Sequence, residues 1–203
     1  MKRIISVILA AMMLLMIAPT AAHGKRAESR APYGYVEHEY DQLLAFMEQT
    51  NSAGVKNGTQ LSSAYDPNDP ETWGGIFWYI APTGFIHAEY IFFSTYDFPN
   101  RNLVGTLNLS GFSKLRAFGC AGNSITAVSI SDCPLLDELN VAQNLLTNFS
   151  VSNCAELRLV WCEENMLPSV SLSNLPKLRQ FHCYQNPIAE LDVSPFENLR
   201  YLF

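Results

Sequence analysis

Leu178-Arg179-Gln180-Phe181-His182-Cys183-Tyr184-Gln185-Asn186, followed by Pro187-Ile188 and Glu190-Leu191-Asp192-Val193-Ser194, is one unit of a pattern that fills the second half of the chain. Leu115, Leu136, Leu157, Leu178 and Leu199 lie 21 residues apart, and Asn102, Asn123, Asn144, Asn165 and Asn186 keep the same step. Position four of each unit reads Phe118, Leu139, Val160, Phe181, Leu202, and position six reads Cys120, Val141, Cys162, Cys183. Ile125/Leu146/Leu167/Ile188, Val128/Phe149/Val170/Leu191 and Ile130/Val151/Leu172/Val193 follow in phase, and each residue of the third column is trailed by a serine, at 131, 152, 173 and 194. A repeat this short cannot bury its own apolar face, so neighbours must stack and share one core.

The pattern LxxLxCxxNxLxxLxVSxCxx resembles the 21-residue class of bacterial leucine-rich repeats, over residues 94–203. The resemblance implies a right-handed solenoid in which the LxxLxCxxN segments stack as a parallel sheet on the concave face, with a mostly extended convex side. The asparagines sit where the chain turns, and their amides can satisfy buried backbone groups there. Cys120, Cys162 and Cys183 share a column with Val141, and Cys133 and Cys154 share one with Leu175 and Phe196, so buried thiols are expected. A Cys162–Cys183 bridge stays open at a strand spacing of about 4.8 Å, although parallel side chains fit disulfide torsions poorly.

Upstream, residues 37–93 read as an N-terminal cap. Tyr40, Leu43, Leu44 and Met47 give Glu37–Thr50 the spacing of one amphipathic α-helix. The stretch 51–71 reads as loop, and Trp73–Ile80 and Phe85–Phe93 as a β-hairpin about Pro82-Thr83-Gly84. Leu43, Leu44, Phe46, Trp73, Gly75, Ile76, Trp78, Gly84, Ile86, Asn102, Leu103, Gly105 and Leu107 make this segment similar to the cap of plant-type and related bacterial repeat proteins, without the cysteine pair that often staples it. Trp73, Phe77, Trp78 and Tyr79 are expected to pack as core, with a sugar platform as the other reading.

The chain opens with Lys2-Arg3, an apolar run from Ile4 to Ile17 and the small residues Ala18-Pro19-Thr20-Ala21-Ala22, the make-up of a signal peptide cut after Ala22. The run is short for a membrane helix, which needs roughly 20 residues. Residues 23–36 read as a flexible linker. Of 13 basic residues two leave with the signal, so 11 face 19 acidic ones, a net charge of −8. That balance argues against nucleic acid or an anionic membrane as partner. The secreted or cell-surface location also gives the Asn57, Asn108 and Asn148 sequons meaning only in a host that glycosylates them. The array breaks off five residues into the unit begun by Leu199, so the reading expects either a continuing chain or end-to-end pairing with another copy.

Positions three, five and seven project from the concave sheet. The early coils carry Ala117, Gly119, Ala121, Glu138, Asn140 and Ala142; the later ones carry Leu159, Trp161, Glu163, Gln180, His182, Tyr184, Tyr201 and Phe203. Leu159, Trp161, Glu163, Gln180, His182, Tyr184 and Tyr201 are the candidate ligand-binding set, because exposed aromatics beside a few polar groups suit a protein hot spot or a sugar-stacking face. Arg116, Arg158, Arg179 and Arg200 form a stripe at position two, expected to pair with acids such as Glu156 or Glu197. No catalytic residue, metal or cofactor is expected. His182 and Cys183 point to opposite faces, and Glu163 with His182 makes too thin a metal site. The expected function is a recognition module docking a protein partner, with a carbohydrate-binding module or an architectural spacer as alternatives.

Overall fold

The computed structural model describes residues 31–94 and 102–203. The expected signal peptide and most of the expected linker lie outside them. The repeats form a solenoid of 21-residue coils with two parallel layers. One sheet has seven strands in the order β1 (Ile76–Ile80), β2 (Ile86–Phe92), β4 (Ala117–Gly119), β6 (Glu138–Asn140), β8 (Leu159–Trp161), β10 (Gln180–His182) and β11 (Tyr201–Leu202). The other has four, β3 (Val104–Ser110), β5 (Ser124–Ser131), β7 (Asn148–Ser152) and β9 (Ser171–Ser173). The side expected to be merely extended is thus a hydrogen-bonded sheet of its own. Between the layers lie the repeat columns, with Leu115, Leu136, Leu157, Leu178, Phe118, Leu139, Val160 and Phe181 all fully or almost fully buried.

Each coil has two corners where the backbone is left-handed. One is held by Gly122, Gln143, Glu164 and Gln185, the other by Gly111, Asp132, Asn153 and Asn174. Non-glycine side chains adopt this conformation only under constraint. Here the constraint is stacking: Asn153 Nδ2 donates to Asp132 Oδ1 at 2.8 Å and Asn174 Nδ2 to Asn153 Oδ1 at 2.7 Å, tying one corner to the next.

The asparagine column joins the coils from inside. The Asn144 amide donates to the carbonyls of Cys120 (3.0 Å), Ala142 (3.1 Å) and Val141 (3.2 Å), while its oxygen accepts from the Ile125 N–H at 3.1 Å. Asn123, Asn165 and Asn186 repeat the arrangement one coil either way or further along. One side chain therefore satisfies peptide groups of two successive coils.

The N-terminal segment closes the start of the solenoid on both layers. The hairpin β1–β2 is antiparallel, and β2 then pairs in parallel with β4, through Tyr90↔Ala117, Ile91↔Phe118 and Phe92↔Gly119. Helix α1 (Glu37–Met47) buries Tyr40, Leu43, Phe46 and Met47 and lies along β3. It stops three residues short of the expected end, because Gln49 turns to the strand: its carbonyl accepts from Asn57 N–H and its side chain binds Thr106. The stretch expected as loop holds a short helix α2 (Asn57–Leu61) and a 3₁₀ turn at Pro70–Thr72. Glu39, buried to 1 % exposure, accepts from the Ala88 N–H at 2.8 Å and meets His87 Nδ1 at 3.0 Å, pinning α1 to β2.

Removing the Asn144 amide strands the Ile125 N–H in the core and leaves the carbonyls of Cys120, Val141 and Ala142 with one donor each, from Asn123, Asn165 and the Gly122 N–H. Asn144→Ala is expected to lower stability by about 1–3 kcal/mol in urea unfolding, with Asn144→Asp also destabilised because a carboxylate cannot donate. A loss under about 0.5 kcal/mol would show that water replaces the amide.

Candidate functional site

The in-register coils turn the repeat positions into rows on the outer face of the seven-stranded sheet. Position three runs Ala117, Glu138, Leu159, Gln180, Tyr201, and position five runs Gly119, Asn140, Trp161, His182. Alternation within each three-residue strand sends these side chains outward and position four inward. The later coils carry a continuous aromatic run. Ring centroids are 5.8 Å apart for Trp161–His182 and 4.5 Å for His182–Phe203, the latter pair stacked at 27°. Tyr201 lies 6.5 Å from Phe203, with planes 9° apart. Tyr184 (45 %), Tyr201 (54 %) and Phe203 (56 %) are the most exposed; Leu159, Trp161, Glu163, Gln180 and His182 are half-buried. All seven candidate residues thus lie on the last three coils, and Phe203 joins them.

A second aromatic group on the same face was not legible as part of it. Since β2 is in register with β4, Tyr90 and Phe92 point the same way as Ala117 and Gly119. They stack at 6.1 Å, and the 45 %-exposed Phe77 of β1 sits 6.0 Å from Phe92. Three strand spacings, about 14 Å, separate this group from the Trp161 coil. Between them lie Ala117, Gly119, Glu138 and Asn140. The aromatic cluster of the hairpin therefore divides. Trp73 is buried, stacks on Tyr40 at 5.1 Å and donates to the Asp66 carbonyl; Trp78 donates to the Pro70 carbonyl and meets Tyr35 edge-on. Phe77 alone of these three turns outward.

Glu163 and His182, neighbours on adjacent coils, form no hydrogen bond or ion pair with each other. Glu163 Oε2 and His182 Nε2 are both shielded from solvent and have no hydrogen-bond partner. Burial is the largest influence on Glu163 and raises its pKa, partly offset by a hydrogen bond from its own backbone and by the nearby imidazole.

The cysteines face the core as their columns require. All five are free; Cys120, Cys133, Cys154 and Cys162 are fully buried, and Cys183 is half-buried. Burial drives the Cys120 and Cys162 thiols far above their ordinary range and raises Cys183 as well. Cys183 points inward while His182 points out, so they form no dyad. One other grouping sets a hydroxyl, an imidazole and a carboxylate together, but Ser113 (3.5 Å) and Glu39 (3.0 Å) both address Nδ1 of His87, so no proton relay runs through the ring. Among the described residues no three His, Cys, Asp or Glu side chains gather to hold a metal.

The arginine stripe has other partners than expected. Arg116 pairs with Glu89 at 3.0 Å and Arg158 with Asp137, whereas Glu156 is taken by Lys177 at 2.6 Å. The stripe is a bordering row, partly neutralised by its own neighbours. No protein-family model matches this chain, nor does any curated protein or solved structure with which it was compared.

Two outcomes are expected from this geometry. Folding raises the proton affinity of Glu163, so its contribution to stability falls as pH climbs from the ordinary carboxylate value of 4.5 through the raised one. Glu163→Gln should therefore stabilise the fold at pH 7, with the gain shrinking as pH falls toward that ordinary value; an equal gain at pH 3 and pH 7 in parallel urea titrations would refute the cause. Thiol labelling of the native chain should modify Cys183 first and the other four only on unfolding.

Proposed function

We propose that this chain is an exported or cell-surface recognition module of the leucine-rich-repeat kind, docking a protein partner on the outer face of its seven-stranded sheet. The observation that carries the reading is the row of solvent-facing rings on adjacent rigid strands, Trp161, His182, Tyr184, Tyr201 and Phe203. Core packing explains none of them, since the columns alternating with them fill the interior. Aromatic side chains on a fixed backbone present large contact area at little conformational cost, as interface anchors do. Tyr90, Phe92 and Phe77 across the small residues of the first coils give a partner a second point of contact.

The 21-residue column pattern supports the leucine-rich-repeat assignment, and the Lys2-Arg3 run with its apolar stretch and small residues supports export. A bacterial source follows from the same resemblance. A non-catalytic role is favoured by the inward orientation of Cys183 beside the outward His182. A sugar-binding reading draws on one observation, the near-parallel Tyr201 and Phe203 rings, which would offer a flat stacking surface.

Trp161→Ala combined with Tyr184→Ala should weaken partner binding at least 100-fold while leaving the far-ultraviolet spectrum unchanged, measured by surface plasmon resonance on ligands drawn from an extracellular protein array and a glycan panel. Protein hits that lose binding on substitution support the main reading. Glycan hits that do so support the sugar reading, and hits unaffected by substitution count against this face.

A further inference from the structure

The edge of the four-stranded sheet carries a site of a different kind. Strand β3 bonds to β5 on one side, and alternate residues turn both peptide groups to the other side, toward α1 and α2. Four of these meet a side-chain carboxamide in a two-bond ring. Asn102 N–H donates to Gln60 Oε1 at 3.1 Å while its carbonyl accepts from Gln60 Nε2 at 3.2 Å. Val104 does the same with Asn57 (3.1 and 3.0 Å), Thr106 with Gln49 (2.7 and 2.7 Å) and Ser110 with Gln42 (2.7 and 3.0 Å). Four side chains thus stand in for a neighbouring strand.

Asn108 belongs to the same series, between Thr106 and Ser110, and no carboxamide reaches it. Between Gln42 and Gln49, α1 presents Ala45 to this edge, and the space is a cleft of about 290 Å³ lined by Asp41, Gln42, Ala45, Phe46, Gln49 and Asn108, with Thr106 completing it. We infer that this cleft binds a primary carboxamide, the side chain of an asparagine or glutamine on a partner protein. The complementary group is displayed by the chain itself at every other register of the edge. An unpaired strand residue needs an acceptor for its N–H and a donor for its C=O in one plane. A carboxamide supplies both; a carboxylate lacks the donor and a guanidinium lacks the acceptor. The second amide proton also has a precedent. Gln42 Nε2 donates to the His38 carbonyl at 3.1 Å and Gln49 Nε2 to the Ala45 carbonyl at 3.2 Å, each four residues back on the helix. At the level of Ala45 the corresponding carbonyl is that of Asp41, and the buried Phe46 offers an apolar wall for the stem of an incoming side chain. Gly105, at φ +87°, makes room for the Gln49 carboxamide that borders the cleft: a Cβ there would lie 1.8 Å from Gln49 Oε1.

The cleft is on the opposite layer from the aromatic rows, so it stands or falls apart from the docking face. In amide-resolved NMR of the ¹⁵N-labelled chain, acetamide should shift the Asn108 N–H and the Gln42 and Gln49 side-chain amides saturably, whereas acetate and methylguanidinium should not. Ala45→Gln should fill the gap, raise the melting temperature and abolish the response, and Ala45→Leu should abolish it by plugging the cleft. A peptide-display selection on the wild-type chain, counter-screened on Ala45→Gln, should enrich asparagine or glutamine. No saturable shift, an equal response to all three probes, an acetamide response that survives both substitutions, or selected peptides without a carboxamide would each overturn the assignment.

Discussion

Every peptide group in a stack of three-residue strands must find a partner outside its own coil, and this requirement shapes the rest of the molecule. Strands as short as Glu138–Asn140 or Leu159–Trp161 have no stability alone. They persist because backbone bonds run from coil to coil through strands and corners alike, and at one corner an asparagine amide captures peptide groups of two successive coils. At the first coil, where no preceding coil exists among the repeats, two devices take over. On one layer the hairpin adds a true strand; on the other, Gln42, Gln49, Asn57 and Gln60 imitate one. Both avoid the open, aggregation-prone edge that a bare sheet would expose.

The same locked register creates the candidate binding face. With every position stacked on its counterpart 21 residues away, a surface residue has neighbours chosen by column, not by local sequence. Trp161, His182 and Phe203 become ring neighbours for this reason alone. The column also denies partners. Glu163 has Ala142 before it and Tyr184 after it, and the imidazole of the next strand stays out of bonding range, so its carboxylate is desolvated with Oε2 left without a donor. Such a group weakens the fold at neutral pH, a cost consistent with retention at a contact surface.

Much of this was legible from residues. The 21-residue columns located the core, assigned Asn123, Asn144, Asn165 and Asn186 to the turns, and buried the cysteines, since a column that accepts Cys, Val, Leu or Phe describes its own environment. The seven candidate residues do share one face, because alternation follows from strand geometry. What was illegible is what lies outside the repeat. Tyr90 and Phe92 join that face only because β2 docks in parallel on β4, a contact between segments with no common pattern. Gln143 and Glu164 at left-handed corners carry no local signal either, as neither residue type favours that conformation.

Periodicity by itself determined which residues are core, which are turn and which are surface, because a solenoid repeats its contacts at the period of its sequence. Tertiary structure alone decided how the array begins. Gln42, Gln49, Asn57 and Gln60 look like ordinary polar residues on a helix and a loop. Only their placement along the β3 edge makes them a surrogate strand, and only that placement reveals Ala45 as the missing member. A hydrogen bond between groups some fifty residues apart leaves no periodic trace, so folding had to bring them together before their role could be read.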